Sequence, residues 1–238
     1  MKKISIFIFS IFTLLNTENS NAAIALDRTR AIYGEGTKSI SLKISNESSQ
    51  LPYLAQAWVE DENFNKITKP LLITPPIQRI EPGTKSMVRI SSLPEIKNLP
   101  QDRETLFYFN LREIPPRSDK PNVMQIALQT RIKLFYRPSS IIRDSGEVWQ
   151  NKLILTKEKN GYSINNPTGY YITITDIKSY NDQKTDTQFS PITVPPLSNI
   201  KLKTTVYDKF ILTYINDYGG RPTLTFQCLE HKCQVKNI

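Results

Sequence analysis

Apolar and polar residues alternate with a period of two in many short segments of this chain, and helical periodicity is scarce. Ile40, Leu42 and Ile44, for example, alternate with serines and a lysine. This alternation is typical of strands that bury one face and expose the other. It predicts further strands at residues 53–60, 85–91, 105–113, 152–156, 162–164, 171–177, 201–205, 210–215 and 223–227. The pattern indicates an all-β protein.

Turn-forming sequences separate the predicted strands, among them Glu81-Pro82-Gly83 and Asn160-Gly161. Many short strands with such turns favour antiparallel β-sandwiches. The number of strands exceeds what one seven-stranded sandwich needs, and a proline and glycine break follows Tyr136. We therefore predict two immunoglobulin-like domains, at residues 23–140 and 141–238.

The first 22 residues have the features of a secretory signal peptide. Lys2 and Lys3 precede an apolar run at residues 4–15, and small residues lead up to Ala22. The pattern predicts cleavage after Ala22 and export to the periplasm. The apolar run has 12 residues, fewer than the roughly 20 that cross a bilayer as a helix. No membrane insertion is expected.

The chain is basic, with 31 lysines and arginines, 22 acidic residues and a net charge of +9. Loss of Lys2, Lys3 and Glu18 with the leader would leave a charge of +8. Such an excess is compatible with nucleic acid, an anionic surface or an acidic protein. Because no basic run exceeds two residues and the protein is expected to be exported, we interpret the charge as dispersed and solvated, and expect no nucleic acid partner.

The two cysteines, Cys228 and Cys233, lie close together near the C-terminus. In an oxidising compartment such a pair predicts a disulfide. His231, the only histidine, lies between them, but a closed zinc site needs four ligands. An enzyme using a nucleophile and a histidine would also have to use His231. We expect no metal, no cofactor and no catalytic residue.

The longest alternating segment is residues 122–136, which contain neither proline nor glycine. Its apolar even positions are Met124, Ile126, Leu128, Ile132, Leu134 and Tyr136. At about 3.3 Å per residue a strand of this length would extend about 50 Å. It is either an ordinary core strand or an edge strand meant to pair with another chain, because a long apolar edge otherwise promotes aggregation.

Several longer sequence motifs resemble those of one known family. They are residues 26–30 (LDRTR), 50–58 (QLPYLAQAW), Pro75, Pro76, Arg79, 81–83 (EPG), 106–116 (LFYFNLREIPP), 132–138 (IKLFYRP), 166–167 (NP), 170–171 (YY) and 215–220 (INDYGG). Over residues 23–238 the chain resembles PapD-like periplasmic pilus chaperones. The resemblance implies a boomerang of two immunoglobulin-like domains with a cleft between them, and pilus subunits and an outer-membrane usher as partners.

The resemblance also implies how subunits are bound. A pilus subunit lacks the last strand of its own sandwich, and the chaperone lends it a strand, here with Met124, Ile126 and Leu128. Arg30 and Lys133 match the family's cationic pair, which holds the subunit's C-terminal carboxylate. Lys133 has odd parity relative to the three donor residues, so we expect a twist or a bulge between them.

Three further residues, Glu104, Arg137 and Asp217, match an interdomain charge cluster that sets the angle between the domains. The short loop at residues 115–121 resembles the branch of the family that serves rod-like pili. An edge strand that needs cover is also compatible with a self-capping dimer. The alternative function is that of a fimbrial adhesin or pilin-like protein. The sequence leaves the isomer of the Thr74–Pro75 bond open.

Overall fold

The computed structural model describes residues 22–142, 146–182 and 184–236. The strands of the first half are β1 Ile24–Leu26, β2 Arg30–Gly34, β3 Ser39–Asn46, β4 Tyr53–Glu60, β5 Lys66–Ile67, β6 Leu71–Thr74, β7 Ile77–Ile80, β8 Lys85–Ser92, β9 Thr105–Ile114 and β10 Gln129–Arg137. Those of the second half are β11 Ile154–Glu158, β12 Gly161–Asn166, β13 Ile172–Ser179, β14 Ile192–Val194, β15 Ser198–Lys203, β16 Lys209–Ile215, β17 Thr223–Leu229 and β18 Lys232–Val235. Short 3-10 turns occur at Pro94–Asn98, Ser139–Ile141 and Trp149–Lys152.

The first half forms a sandwich of two sheets. One sheet has the strand order β1-β3-β8-β6, and the other has the order β2-β10-β9-β4-β5, with β7 also paired to β4. Alternate residues of both sheets point inward, for example Leu42 and Ile44 from one and Phe109 and Leu134 from the other. These side chains are fully buried in one core, so the period-two pattern of the sequence is the pattern of burial.

The second half is built from one continuous ladder of eight strands, in the order β14-β13-β16-β17-β18-β11-β12-β15. All eight strands contribute side chains to a second core, which includes Leu155, Phe210 and Phe226. Because strands from both ends of the ladder bury residues in the same core, the ladder folds over itself into two layers. Together the two cores confirm the prediction of an all-β chain with two sandwiches.

The predicted strand at residues 122–136 is wrong in its first half, since β10 begins at Gln129. Its partner β9 ends at Ile114 and is followed by two prolines, which have no N–H to donate. Residues 122–126 therefore lie beyond the end of β9, and Leu128 keeps one main-chain bond to β9, from the Glu113 N–H at 3.0 Å. Of the expected twist or bulge, no bulge occurs within β10, because its pairing with β9 runs without interruption from Gln129 to Tyr136; the twist stays a prediction.

The Thr74–Pro75 bond is cis, as is Lys69–Pro70. Among the described residues there is no helix of the length and apolarity needed to span a membrane. Residues 1–21 of the predicted leader, 1–22, lie outside the described residues, and the domain limits at residues 140 and 141 remain predictions.

Candidate functional site

Strand β10 is paired differently along its two edges. One edge pairs with β9 along nearly its whole length. The other edge pairs with β2, in parallel, only from Lys133 to Arg137. Among the described residues, 129–132 have no strand on this second side, which we call the open edge. The open edge ends where β2 begins, at Arg30, which is the ladder partner of Lys133.

Arg30 and Lys133 meet at a pocket of about 170 Å³ between the two domains. Tyr108 and Arg131 line the same pocket from the first domain, and Ile215 lines it from the second. The Arg30 guanidinium donates from Nη1 to the Ile215 carbonyl oxygen at 3.2 Å and lies 5.7 Å from the centre of the Phe135 ring. These contacts fix the guanidinium at the mouth of the cleft.

Three cationic side chains, those of Arg30, Arg131 and Lys133, line the pocket. Burial lowers the pKa of Lys133 below its ordinary value, and the nearby charge of Arg30 lowers it further. Burial likewise lowers the pKa of Arg30, against the opposing charges of Asp217 and Glu104. Within the part of the chain that the structure describes, Arg30 Nε is buried without a hydrogen-bond partner. Two partly desolvated cations side by side favour an anion that can bind both.

The three residues of the predicted charge cluster lie together at the domain junction. Arg137, at the end of β10, donates to both oxygens of Asp217, from Nη1 at 2.6 Å and from Nη2 at 2.9 Å. It also donates from Nε to Glu104 Oε1 at 2.8 Å. Glu104 Oε2 accepts the main-chain N–H of Tyr171 at 2.8 Å. The cluster therefore joins the residue before β9 and the end of β10 to the second domain.

Burial dominates the electrostatics of this cluster. It raises the pKa of Glu104 to about 7, although the charge of Arg137 and the Tyr171 N–H oppose the shift. Burial lowers the pKa of Arg137, but hydrogen bonds and charge from Asp217 and Glu104 outweigh it, so the net change is upward. The guanidinium also lies 5.3 Å from the Trp149 ring and 4.9 Å from the Tyr170 ring, which shield it from water.

The three predicted donor residues lie on the exposed segment that leads into β10. Met124 is 87% exposed, Ile126 68% and Leu128 46%. Single exposed apolar side chains are common, but a run of large ones along one segment is typical of an interaction surface. The even residues that follow, Ile132 and Leu134, are buried in the first core.

Models of two protein families match the chain. One, for the N-terminal domain of the PapD pili and flagellar-assembly chaperones, matches residues 23–142. The other, for the C-terminal domain of the PapD pili-assembly chaperones, matches residues 148–226. This chain belongs to the PapD family of pilus-assembly chaperones.

Relatives of this family cover the chain closely. The chaperone protein PapD of Escherichia coli is 53% identical over 236 residues, which are 99% of this chain and 98% of that protein. The chaperone protein PmfD of Proteus mirabilis is 44% identical over 97% of this chain and 93% of its own length. The crystal structure of the periplasmic chaperone SfaE superposes with a TM-score of 0.71 at 32% identity, covering 85% of this chain and 98% of that one.

Two other features can now be placed within the PapD-family fold. Cys228 and Cys233 form the predicted disulfide, across the hairpin of β17 and β18. His231 lies at the tip of this hairpin. Among the residues described, no group of three histidine, cysteine or acidic side chains could hold a metal ion.

Sequence reasoning missed several residues of the cleft. Phe135 packs on Tyr171 across the domain junction, with ring centres 5.6 Å apart, and Ile215 provides the carbonyl oxygen for Arg30. Phe135 has the same parity as Lys133, so the alternation of β10 carried a signal that its side chain leaves the first core. Ile215 belongs to the motif at residues 215–220, but the motif does not reveal its role, because that role rests on a main-chain atom.

Proposed function

We propose that this chain captures pilus subunits in the periplasm by lending them the segment with Met124, Ile126 and Leu128, and that Arg30 and Lys133 hold the subunit's C-terminal carboxylate. The observation that carries the proposal is the open edge of β10, which ends at this cationic pair. A strand that pairs with an exposed sheet edge forms main-chain hydrogen bonds, which provide affinity. Pockets that accept alternate side chains of the strand provide specificity.

The geometry also supports a direction for the added strand. β2 runs parallel to β10 and begins at Arg30. A strand laid along the open edge in the direction of β2 would end against Arg30 and Lys133, and would bring its terminal carboxylate to two cations. A strand in the opposite direction would place other main-chain atoms there, and a terminal ammonium group would be repelled.

The opposite faces of β10 serve two purposes in this proposal. Ile132 and Leu134 continue the apolar face of the lent segment into the first core, whereas Lys133 projects from the other face toward the cleft. Lys133 therefore differs in parity from Met124, Ile126 and Leu128 because it faces the cleft, whereas they face the subunit groove in this proposal. Burying three apolar side chains in a subunit groove contributes several kcal/mol, at about 25 cal/mol per Å², before ordering costs.

The remaining parts of the proposal follow from the family and the sequence. Residues 1–22 direct export and are removed after Ala22, and residues 23–140 and 141–238 form the two domains. The loaded chaperone delivers its subunit to an outer-membrane usher, and without a subunit the exposed segment is capped by a second copy. Glu104, Arg137 and Asp217 set the angle between the domains. No catalytic role is proposed, and the match to chaperone domain models disfavours the pilin or adhesin alternative.

Coexpression with a cognate subunit tests the proposal. Arg30→Ala and Lys133→Ala should each abolish a subunit complex that survives purification from periplasm, while the chaperone itself stays folded. Arg117→Ala, at an exposed arginine of the loop after β9, is the control and should copurify subunit normally. Normal amounts of subunit with the Arg30 or Lys133 variant would contradict the carboxylate role.

A further inference from the structure

A buried carboxylate lies at the base of the exposed segment. Glu113, near the end of β9, is only 6% exposed. Its side chain accepts two main-chain N–H groups, that of Ile24 at Oε2 (3.0 Å) and that of Leu128 at Oε1 (3.4 Å). Glu113 thus connects the first strand of the sandwich to the last residue of the segment before β10.

This side chain replaces one main-chain bond of the ladder. The N–H of Glu113 donates to the Leu128 carbonyl oxygen at 3.0 Å. In a regular antiparallel pair the Leu128 N–H would return to the Glu113 carbonyl oxygen, but here it points to the carboxylate. The regular strand therefore begins one residue later, at Gln129, and Glu113 fixes where the lent segment leaves the sheet.

The carboxylate lacks a cation. Within residues 22–142, 146–182 and 184–236, no lysine or arginine forms an ion pair with Glu113. A buried carboxylate without a counter-ion is unfavourable, and two amide donors compensate it only in part. A positive group close to Oε2 would complete the site.

The nitrogen of Ala23 lies near this carboxylate. The Ile24 nitrogen is 3.0 Å from Oε2, and successive backbone nitrogens are less than about 4 Å apart, so the Ala23 nitrogen is within about 7 Å of this oxygen. The Ala23 carbonyl oxygen is held by the Glu47 N–H at 2.7 Å. In the precursor this nitrogen belongs to a peptide bond, but cleavage after Ala22 would turn it into an ammonium group.

We propose that Glu113 is a positioning residue for the lent segment and that its counter-ion is the α-ammonium group of Ala23, which exists only after the leader has been removed. The inference rests on the proposed roles of residues 1–22 and of the segment ending at Leu128. Removal of the leader would thereby prepare the segment for binding a subunit. In the processed chain the Glu113 carboxylate is neutralised and holds the base of the segment, whereas in the precursor the carboxylate has no counter-ion.

Reactivity of the α-amine tests the ion pair directly. The processed chain is treated with an acetylating reagent near neutral pH, and acetylation of Ala23 is followed by mass spectrometry. An opposite charge nearby raises an amine's pKa by about one unit or more, so its free-amine form becomes about tenfold scarcer. Ala23 should therefore react about tenfold faster in Glu113→Gln than in the unsubstituted chain.

Two further variants make the test specific. Glu47→Gln changes an exposed carboxylate whose main chain also contacts Ala23, and it should leave the reaction rate unchanged. A chain that begins with two extra residues, Gly-Ser, before Ala23 keeps every side chain but moves the ammonium group away. It should exchange the Leu128 amide hydrogen several-fold faster than the unextended chain, and it remains informative if Glu113→Gln does not fold.

Equal reactivity of Ala23 with and without the Glu113 carboxylate would overturn the ion pair, and so would acceleration by Glu47→Gln instead. Unchanged Leu128 exchange in the extended chain would overturn the positioning role. None of these measurements uses a pilus subunit. Failure here would leave the subunit-capture results for Arg30 and Lys133 standing, and failure of those results would leave these measurements standing.

Discussion

Replacing Arg137 by methionine should destabilise the contact between the domains more than any change at an exposed arginine. The substitution keeps much of the side-chain volume under the Trp149 ring but removes the guanidinium. It leaves the Glu104 side chain, only 2% exposed, without its cation, and it also leaves Asp217 unpaired. Removing one partner of a buried ion pair costs about 3–5 kcal/mol of unfolding free energy.

The loss should depend on pH because Glu104 titrates in the accessible range. Its pKa is raised from 4.5 to about 7 in the folded protein. Because the pKa of Glu104 is higher in the folded state than in the unfolded state, this group stabilises the fold below its unfolded pKa of 4.5. That contribution, about 3 kcal/mol, is lost as the pH rises through the folded pKa of about 7. Without Arg137 the pKa of Glu104 rises further. The loss of unfolding free energy in Arg137→Met should therefore be larger at about pH 8 than at about pH 5.5.

Urea unfolding followed by tryptophan fluorescence measures this difference. Trp149 stacks on Tyr170 beside the Arg137 guanidinium, and a Trp58→Phe background makes it the sole reporter. Arg103→Met, which removes an exposed arginine next to Glu104 in sequence, is the control and should unfold like the parent at both pH values. A deficit below about 1 kcal/mol, typical of surface pairs, or an equal deficit at both pH values would refute the reasoning.

Three other predictions concern the lent segment and the second domain. Ile126→Asp should reduce the amount of copurified subunit without lowering the urea midpoint, whereas Val123→Asp, of opposite parity, should have a smaller effect; equal effects would count against the alternating pattern. Gly161→Ala should lower the unfolding free energy by more than about 2 kcal/mol, because φ is +140° and a Cβ would overlap the Leu202 carbonyl oxygen; a urea curve identical to the parent's would disprove this. Cys228→Ser should cost about 2 kcal/mol through the lost closure of a short loop, and dithiothreitol should destabilise the parent but not the variant.

The sequence predicted the long antiparallel strands well because alternation over eight or more residues is distinctive. β4 matches its predicted limits, and β8 and β9 each extend one residue further. Most of the short strands escaped notice, namely β1, β2, β5, β6, β7, β14 and β18, since two to five residues offer too few positions to establish a period. β2 is the important case: it is a five-residue parallel strand whose partner lies about a hundred residues further along the chain, and local patterns carry no information about such pairing.

The candidate site depends on contacts that only the fold creates. Arg30 and Lys133 were found through the resemblance to a family, and the structure makes them ladder partners. Glu104, Arg137 and Asp217 are likewise brought together, while their influence on the domain angle stays a prediction. The segment before β10 alternates like a strand, and for that reason the sequence predicts a strand there. An alternating segment forms a strand only when a neighbouring strand pairs with it.

Successive odd residues of β10 connect the parts of the site. Lys133 lines the pocket that it shares with Arg30, Phe135 packs on Tyr171 of the second domain, and Arg137 binds Asp217. Since Asp217 lies two residues after Ile215, whose carbonyl oxygen orients Arg30, the charge cluster and this pocket meet at the end of β16. A change in how the domains meet must therefore move the acceptor that holds Arg30. This makes the junction part of the proposed subunit-binding site, because the pocket that Arg30 and Lys133 line has one wall from each domain.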